Sequence, residues 1–252
     1  MERTLKNQLL AMLKQASPLL VASLDGDDLA YLMEQARSDR ADVVEIRLDV
    51  WGNFFREDMM EKMTRFKEKI GLPMLVSFRG GRPFPPWWQP IHWRALSHAA
   101  MIDVEWNPKY PWREIIRNVK KYNLALMISH HDYKETPSEN ALTRLAKAAY
   151  SKKADVLKIA TRVKNEGDIR TLLHLSERFT PKRLMTIMGM GPWGTLSRIV
   201  APLFNACFIY GFIGTPTASG QLPFRELLER VRTLYPSYDE AFQERLSRGV
   251  IS

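Results

Sequence analysis

Eight short apolar runs recur along this chain, and their spacing constrains its fold more than any other feature. They occupy residues 19–23, 43–48, 74–78, 102–106, 124–128, 155–160, 184–188 and 207–212. Each is rich in β-branched and aliphatic side chains with little alternation of polarity, the pattern of a parallel strand covered on both faces. Between them lie charge-rich stretches with apolar residues at helical spacing, at 28–37, 58–70, 113–122, 140–152, 168–179, 196–204 and 224–234. A shorter stretch, 92–100, has the same character. Successive runs begin roughly 20–30 residues apart, the length of one βα unit. Eight such units in 252 residues predict an α/β fold, a closed (β/α)8 TIM barrel rather than an open sheet. A dinucleotide-binding sheet is disfavoured because the first run leads into Asp25-Gly26-Asp27-Asp28 and not into G-x-G-x-x-G. Those acids would repel a pyrophosphate but can cap a helix.

No linker or low-complexity tract interrupts the alternation. The reading is one barrel domain over residues 1–252, with 1–17 as an amphipathic lead-in and 236–252 as a peripheral tail bearing a short helix. The longest apolar stretch, 206–213, falls far short of the roughly 20 residues that cross a bilayer. The N-terminus lacks a signal's apolar segment, so a cytoplasmic protein without membrane contact is expected. Lys and Arg total 37 against 28 Asp and Glu, a formal charge of +9 that favours an anionic partner, either a polyanion or a small acid. The lone Cys207 excludes a disulfide framework and a multi-cysteine metal site. The histidines do not add up to a metal signature either, and no metal or cofactor is expected. One loop is unusual: in GGRPFPPWWQP, residues 80–90, the prolines forbid a helix. With Arg82, its Trp87 and Trp88 could stack on nucleobases, but a packed aromatic lid is the preferred reading.

Active sites of such barrels lie at the C-terminal ends of the strands, so polar residues there carry the functional argument. Glu45 and Arg47 are two apart on the second run and share a face. The third ends in Arg79, the fourth carries Asp103 and Glu105, and the fifth ends in His130, His131 and Asp132. After the seventh come Ser197 and Arg198, and after the eighth a small-residue loop ending in Gln221. A carboxylate–arginine pair such as Glu45–Arg47 often does no more than satisfy a barrel mouth. Lys158 is different. It sits among Val156, Leu157, Ile159 and Ala160, although lysine is rarely buried without a partner or a reaction. Desolvation and neighbouring Arg47, Arg79 or Arg198 would disfavour its ammonium and leave a neutral amine able to attack a carbonyl. With a histidine as acid and base and arginines to hold a carboxylate, the set suits proton removal alpha to a carbonyl and loss of a leaving group.

The strings EIRLD, SFRG, IDVE, SHHDYKETP, DVLKIA, MGMGPWGTLSR and TASGQ follow one another in this order. From about residue 19 to 234 they resemble the type I 3-dehydroquinate dehydratases of the shikimate pathway, which serves aromatic amino-acid biosynthesis. EIRLD is similar to the family's E-W-R-x-D with Ile46 for Trp, SHHDYKETP to S-x-H-D-F-x-x-T-P, DVLKIA to D-x-x-K-I-A, and TASGQ to S-A-P-G-Q with Thr217 for Ser. The resemblance implies a hydro-lyase in which Lys158 forms a Schiff base with 3-dehydroquinate and His131, not His130, is general acid and base. It also implies that Ser23, Glu45, Arg47, Arg79 and Arg198 bind substrate and that Thr217 and Gln221 close over it. A small-molecule substrate, no nucleic acid and a homodimer are expected.

The chain departs from the family at one place. The family's R-x-x-x-E-G-G carries a glutamate that orients the histidine, but here Arg79 runs directly into Gly80-Gly81 and no acid lies between Arg79 and Asp103. Glu105 or Asp132 is the expected substitute, because a carboxylate on one ring nitrogen fixes the tautomer. Another imine-forming barrel lyase of the class I aldolase kind, or a non-catalytic barrel that binds an anion, is the alternative reading.

Overall fold

The eight apolar runs form eight parallel strands that follow one another around a barrel. In the computed structural model, residues 5–15, 17–55, 58–78, 90–180 and 182–247 are described. The strands are β1 (Leu19–Asp25), β2 (Val43–Arg47), β3 (Met74–Phe78), β4 (Met101–Glu105), β5 (Ala125–Asp132), β6 (Val156–Arg162), β7 (Leu184–Met190) and β8 (Phe208–Gly214). Each pairs with the next from β1 to β7, and β8 returns to lie on the free side of β1. The two ends of this ribbon meet where Ala206, just before β8, forms a parallel bridge with Met185 of β7. A two-residue strand, β9 (Leu222–Pro223), extends the sheet from β8. The (β/α)8 barrel expected from the sequence is therefore present, with a seam between its seventh and eighth staves.

Helices alternate with these strands. They are α1 (Leu5–Met12), α2 (Leu29–Ser38), α3 (Leu48–Phe55), α4 (Met59–Ile70), α5 (Pro90–Ala95) and α6 (Trp112–Lys121). There follow α7 (Glu139–Ser151), α8 (Glu166–Phe179), α9 (Gly194–Val200), α10 (Phe224–Leu234) and α11 (Tyr238–Ser247). Three of them start at side chains that accept from otherwise orphan amides: Asp28 from Tyr31 N at α2, Ser138 from Ala141 N at α7, and Asn165 from Asp168 N at α8. No helix among the described residues is long and apolar enough to cross a membrane.

Two segments differ from the sequence reading. The short α3 is absent from it, because Gly52 and Asn53 break the helical spacing. The tail read as peripheral contributes to the core: α11 buries Tyr238, Phe242 and Arg245. These recur at i, i+4 and i+7, one helix face, but the arginine disguises the apolar stripe. Its Nη2 lies 2.8 Å from Asp42 Oδ1, and both side chains are fully buried.

Strand register decides which polar residues face inward. Glu105 is aligned with Ser129, Ser129 with Lys158, and Lys158 with Thr186. Because side chains alternate along a strand, His131 points to the same side as Ser129, whereas His130 pairs with Ile159 in the opposite set.

Candidate active site

Lys158 is 3% exposed, and its Nζ lies 3.4 Å from Glu45 Oε1 and 3.6 Å from Asp103 Oδ2. The ring of Tyr210 covers it from β8, with the centroid 4.0 Å from Nζ. Among the described residues the amine thus has two carboxylates within 4 Å, which the expectation of crowding arginines did not include. Glu45 reaches it because β2 points Glu45 and Arg47 inward together, and the same carboxylate accepts a short hydrogen bond from Ser23 Oγ. Two buried carboxylates around one buried nitrogen stabilise a cation there.

His131 meets a different acid. Its Nδ1 lies 2.5 Å from Glu105 Oε2, and its backbone N–H donates to Glu105 Oε1 at 2.8 Å. Ser129 Oγ donates to the same carboxylate at 3.3 Å. Of the two acids expected to replace the missing glutamate, Glu105 is therefore on the ring. Asp132 instead accepts from the amides of Lys134 and Glu135 at 2.9 and 3.0 Å, closing the turn after β5. The Tyr133 ring lies over His131 at 6.0 Å between centroids.

Arg198 is 4% exposed and enters the site from α9. The approach depends on two glycines. A Cβ at Gly189 would lie 2.6 Å from Ser197 Oγ, and one at Gly194 would lie 2.9 Å from the Gly189 carbonyl oxygen. Ser197 Oγ joins the two elements by accepting from Gly189 N and donating to Gly194 O, both at 2.7 Å. So fixed, the guanidinium rests with Nη1 3.4 Å from Met188 Sδ, while its Nε and Nη2 make no hydrogen bond. Burial lowers the group to about 10, and Tyr210 and Glu45 pull it back up. A buried cation with two unused donors is a receptor for an anion.

The segment after β8 closes over this arrangement. Arg47 is held by Asp49, with Nη2 2.5 Å from Oδ2, and its Nη1 donates to the Thr217 carbonyl at 3.4 Å. Thr217 N and Oγ1 donate to Gln221 Oε1 at 3.1 and 2.9 Å. Ser23, Glu45, Arg47, His131, Lys158, Arg198, Thr217 and Gln221 consequently line one cavity. Arg79, Arg82 and the Trp87-Trp88 pair lie outside the described residues. Asp103 and Tyr210 also face Lys158. Asp103 is noted in the sequence without a role, and nothing in the sequence distinguishes Tyr210 from a core aromatic. A larger cavity of about 490 Å³ at the start of β7 and β8 holds Lys14, Lys182 and Arg183, but no nucleophile paired with a base. Among the described residues no three His, Cys, Asp or Glu side chains converge as a metal ion would require.

The model of the family described as Type I 3-dehydroquinase matches residues 19–237. The chain belongs to this family. A 3-dehydroquinate dehydratase of Latilactobacillus sakei is 28% identical to it over 227 residues, 84% of this chain and 91% of that one. Another from Thermodesulfovibrio yellowstonii is 28% identical over 224 residues, 86% and 96% of the two chains. Among solved structures, the type I 3-dehydroquinate dehydratase of Clostridium difficile, with covalently modified comenic acid, superposes with a TM-score of 0.76 at 22% identity. That match covers 88% of this chain and 94% of the other, so the dehydroquinase fold spans nearly the whole molecule.

Proposed function

We propose that this chain dehydrates 3-dehydroquinate to 3-dehydroshikimate through an iminium on Lys158. The observation that carries the proposal is a buried amine sharing one cavity with a histidine whose other side is held by a carboxylate at 2.5 Å. Nζ condenses with the C3 ketone. The ammonium and the ketone give an iminium and water, so the charge on nitrogen is the same before and after, and Glu45 Oε1 is within reach to carry the proton that must leave while nitrogen attacks. His131 removes a C2 proton to form the enamine, then returns it to the departing C1 hydroxyl, which leaves as water. A second water cleaves the product iminium and restores the amine.

Glu105 keeps the Nδ1 side of His131 occupied, which leaves Nε2 for the substrate. Arg198 supplies two free donors for the carboxylate, with Arg47 and Arg79 as further cations, and Ser23 and Glu45 take hydroxyls. The Thr217–Gln221 segment excludes water. The finer reading is a homodimer in the cytoplasm, and light scattering on the purified chain tests the dimer. Borohydride reduction with 3-dehydroquinate present, followed by peptide mass mapping, tests the chemistry. A reduced adduct on Lys158, absent from Lys158→Ala, is expected. No adduct on the unaltered protein, or turnover surviving in the variant, would overturn the reading.

A further inference from the structure

We infer that Tyr210 is a positioning residue for the reaction, its ring face holding the nitrogen of Lys158 in place as a cation. The inference deepens the proposed Schiff-base reading and rests on it for its catalytic consequence. The geometry is that of a cation over an aromatic face: Nζ is 4.0 Å from the ring centroid, well inside the roughly 6 Å over which a ring quadrupole attracts a cation. The site is dry, with Tyr210 and Lys158 each 3% exposed, so the attraction is not screened by water.

The ring is also fixed before any substrate arrives. Its hydroxyl donates to Met127 Sδ on β5 at 3.8 Å, and Phe208 packs against it edge-on at 6.1 Å. The hydroxyl therefore anchors the ring while the face meets the nitrogen. Glu45 from β2 and Asp103 from β4 face the same atom, and His131 from β5 and Arg198 from α9 line the cavity beyond it. The two carboxylates attract a cation wherever it sits between them. The ring adds a direction, because its attraction is strongest above the centroid. Condensation turns an ammonium into an iminium without altering the charge at this position, so one ring serves both states, and the iminium is the electron sink on which proton removal depends.

The test varies the ring's electrons and leaves its size nearly constant. Tyr210→Phe is the reference, and mono-, di- and trifluorinated phenylalanine placed at position 210 weaken the negative face in steps. In the free protein, carbamylation of Lys158 by cyanate is followed by peptide mass mapping from neutral to alkaline pH. The pH of half-labelling should fall with each fluorine, by roughly one unit over the series. The rate of borohydride trapping with 3-dehydroquinate should fall in parallel by about tenfold. A labelling profile that ignores the fluorine count overturns the inference, since a ring that only fills space is insensitive to its quadrupole. If labelling shifts but the unaltered protein forms no adduct, the ring–cation contact stands and the Schiff-base reading fails.

Discussion

Two arginines lie buried at opposite ends of this barrel, and their surroundings differ in one respect. Arg245, from α11, has Asp42 Oδ1 at 2.8 Å and is flanked by the rings of Tyr238 and Phe242 at 5.6 and 5.7 Å. Asp42 is satisfied in turn by the Leu20 amide and the Tyr238 hydroxyl. Arg198, at the mouth, has no acidic side chain within ion-pair distance among the described residues, only a thioether at 3.4 Å. The first is ion-paired, although its Nε and Nη2, like those of Arg198, make no hydrogen bond. The second is a cation held out of water with no acidic partner among the described residues, and burial lowers it to about 10 against the pull of Tyr210 and Glu45. A fold keeps such an expense where an anionic ligand is to be bound.

The largest effect expected from this contrast is on catalysis at the mouth. Arg198→Met should lower kcat/KM for 3-dehydroquinate by about 10²–10⁴-fold, as expected when a buried partner of a charged ligand is removed. A steady-state assay of enone absorbance reads it, and a loss of only a few-fold would mean that the carboxylate is bound elsewhere. Arg245→Met should instead cost about 3–5 kcal/mol of stability in urea unfolding, because it strands Asp42 without its cation. Adding Asp42→Leu should recover much of that loss. If the single change were harmless, the two arginines would not differ as described.

A third measurement turns on sign. Arg198 is lowered in the folded state, so its favourable contribution to stability exists only at pH above its ordinary value and is lost as pH falls through about 10. At neutral pH it is a constant cost. Arg198→Met should therefore raise stability by about 1–3 kcal/mol, equally at pH 6 and pH 8, while activity falls. Destabilisation would break the comparison. The smallest effect concerns the acids of the mouth: Glu105→Gln should slow turnover by about tenfold, and Asp132→Asn should leave it unaltered. Equal responses would show that Glu105 does not hold His131 for chemistry.

Much of this was legible in the residues. The strands lie within a few residues of the apolar runs because a stave buried on both faces admits almost nothing polar, and the exceptions to that rule are the site. Lys158 stands out for that reason. The positions of Asp103 and Tyr210 around it depend on how β4 and β8 are brought opposite β6, which no local pattern encodes. Arg245 was hidden for a related reason: a charged residue in a helix reads as solvent-facing until its partner, Asp42, is known to lie against it. The two carboxylates at Lys158 are not evident from the motif order, because strands far apart in sequence bring them to one nitrogen.

The seam between β7 and β8 has a consequence for how the molecule can come apart. Among the described residues, eight staves are tied by ladders on seven sides, while the eighth side has one bridge, the Thr186 hydroxyl on the Phe208 carbonyl, and α9 wedged in at the mouth. Deuterium should enter the cylinder along this line first, and a rearranged chain with new termini near residues 203–205 would sever little of its hydrogen-bonded wall.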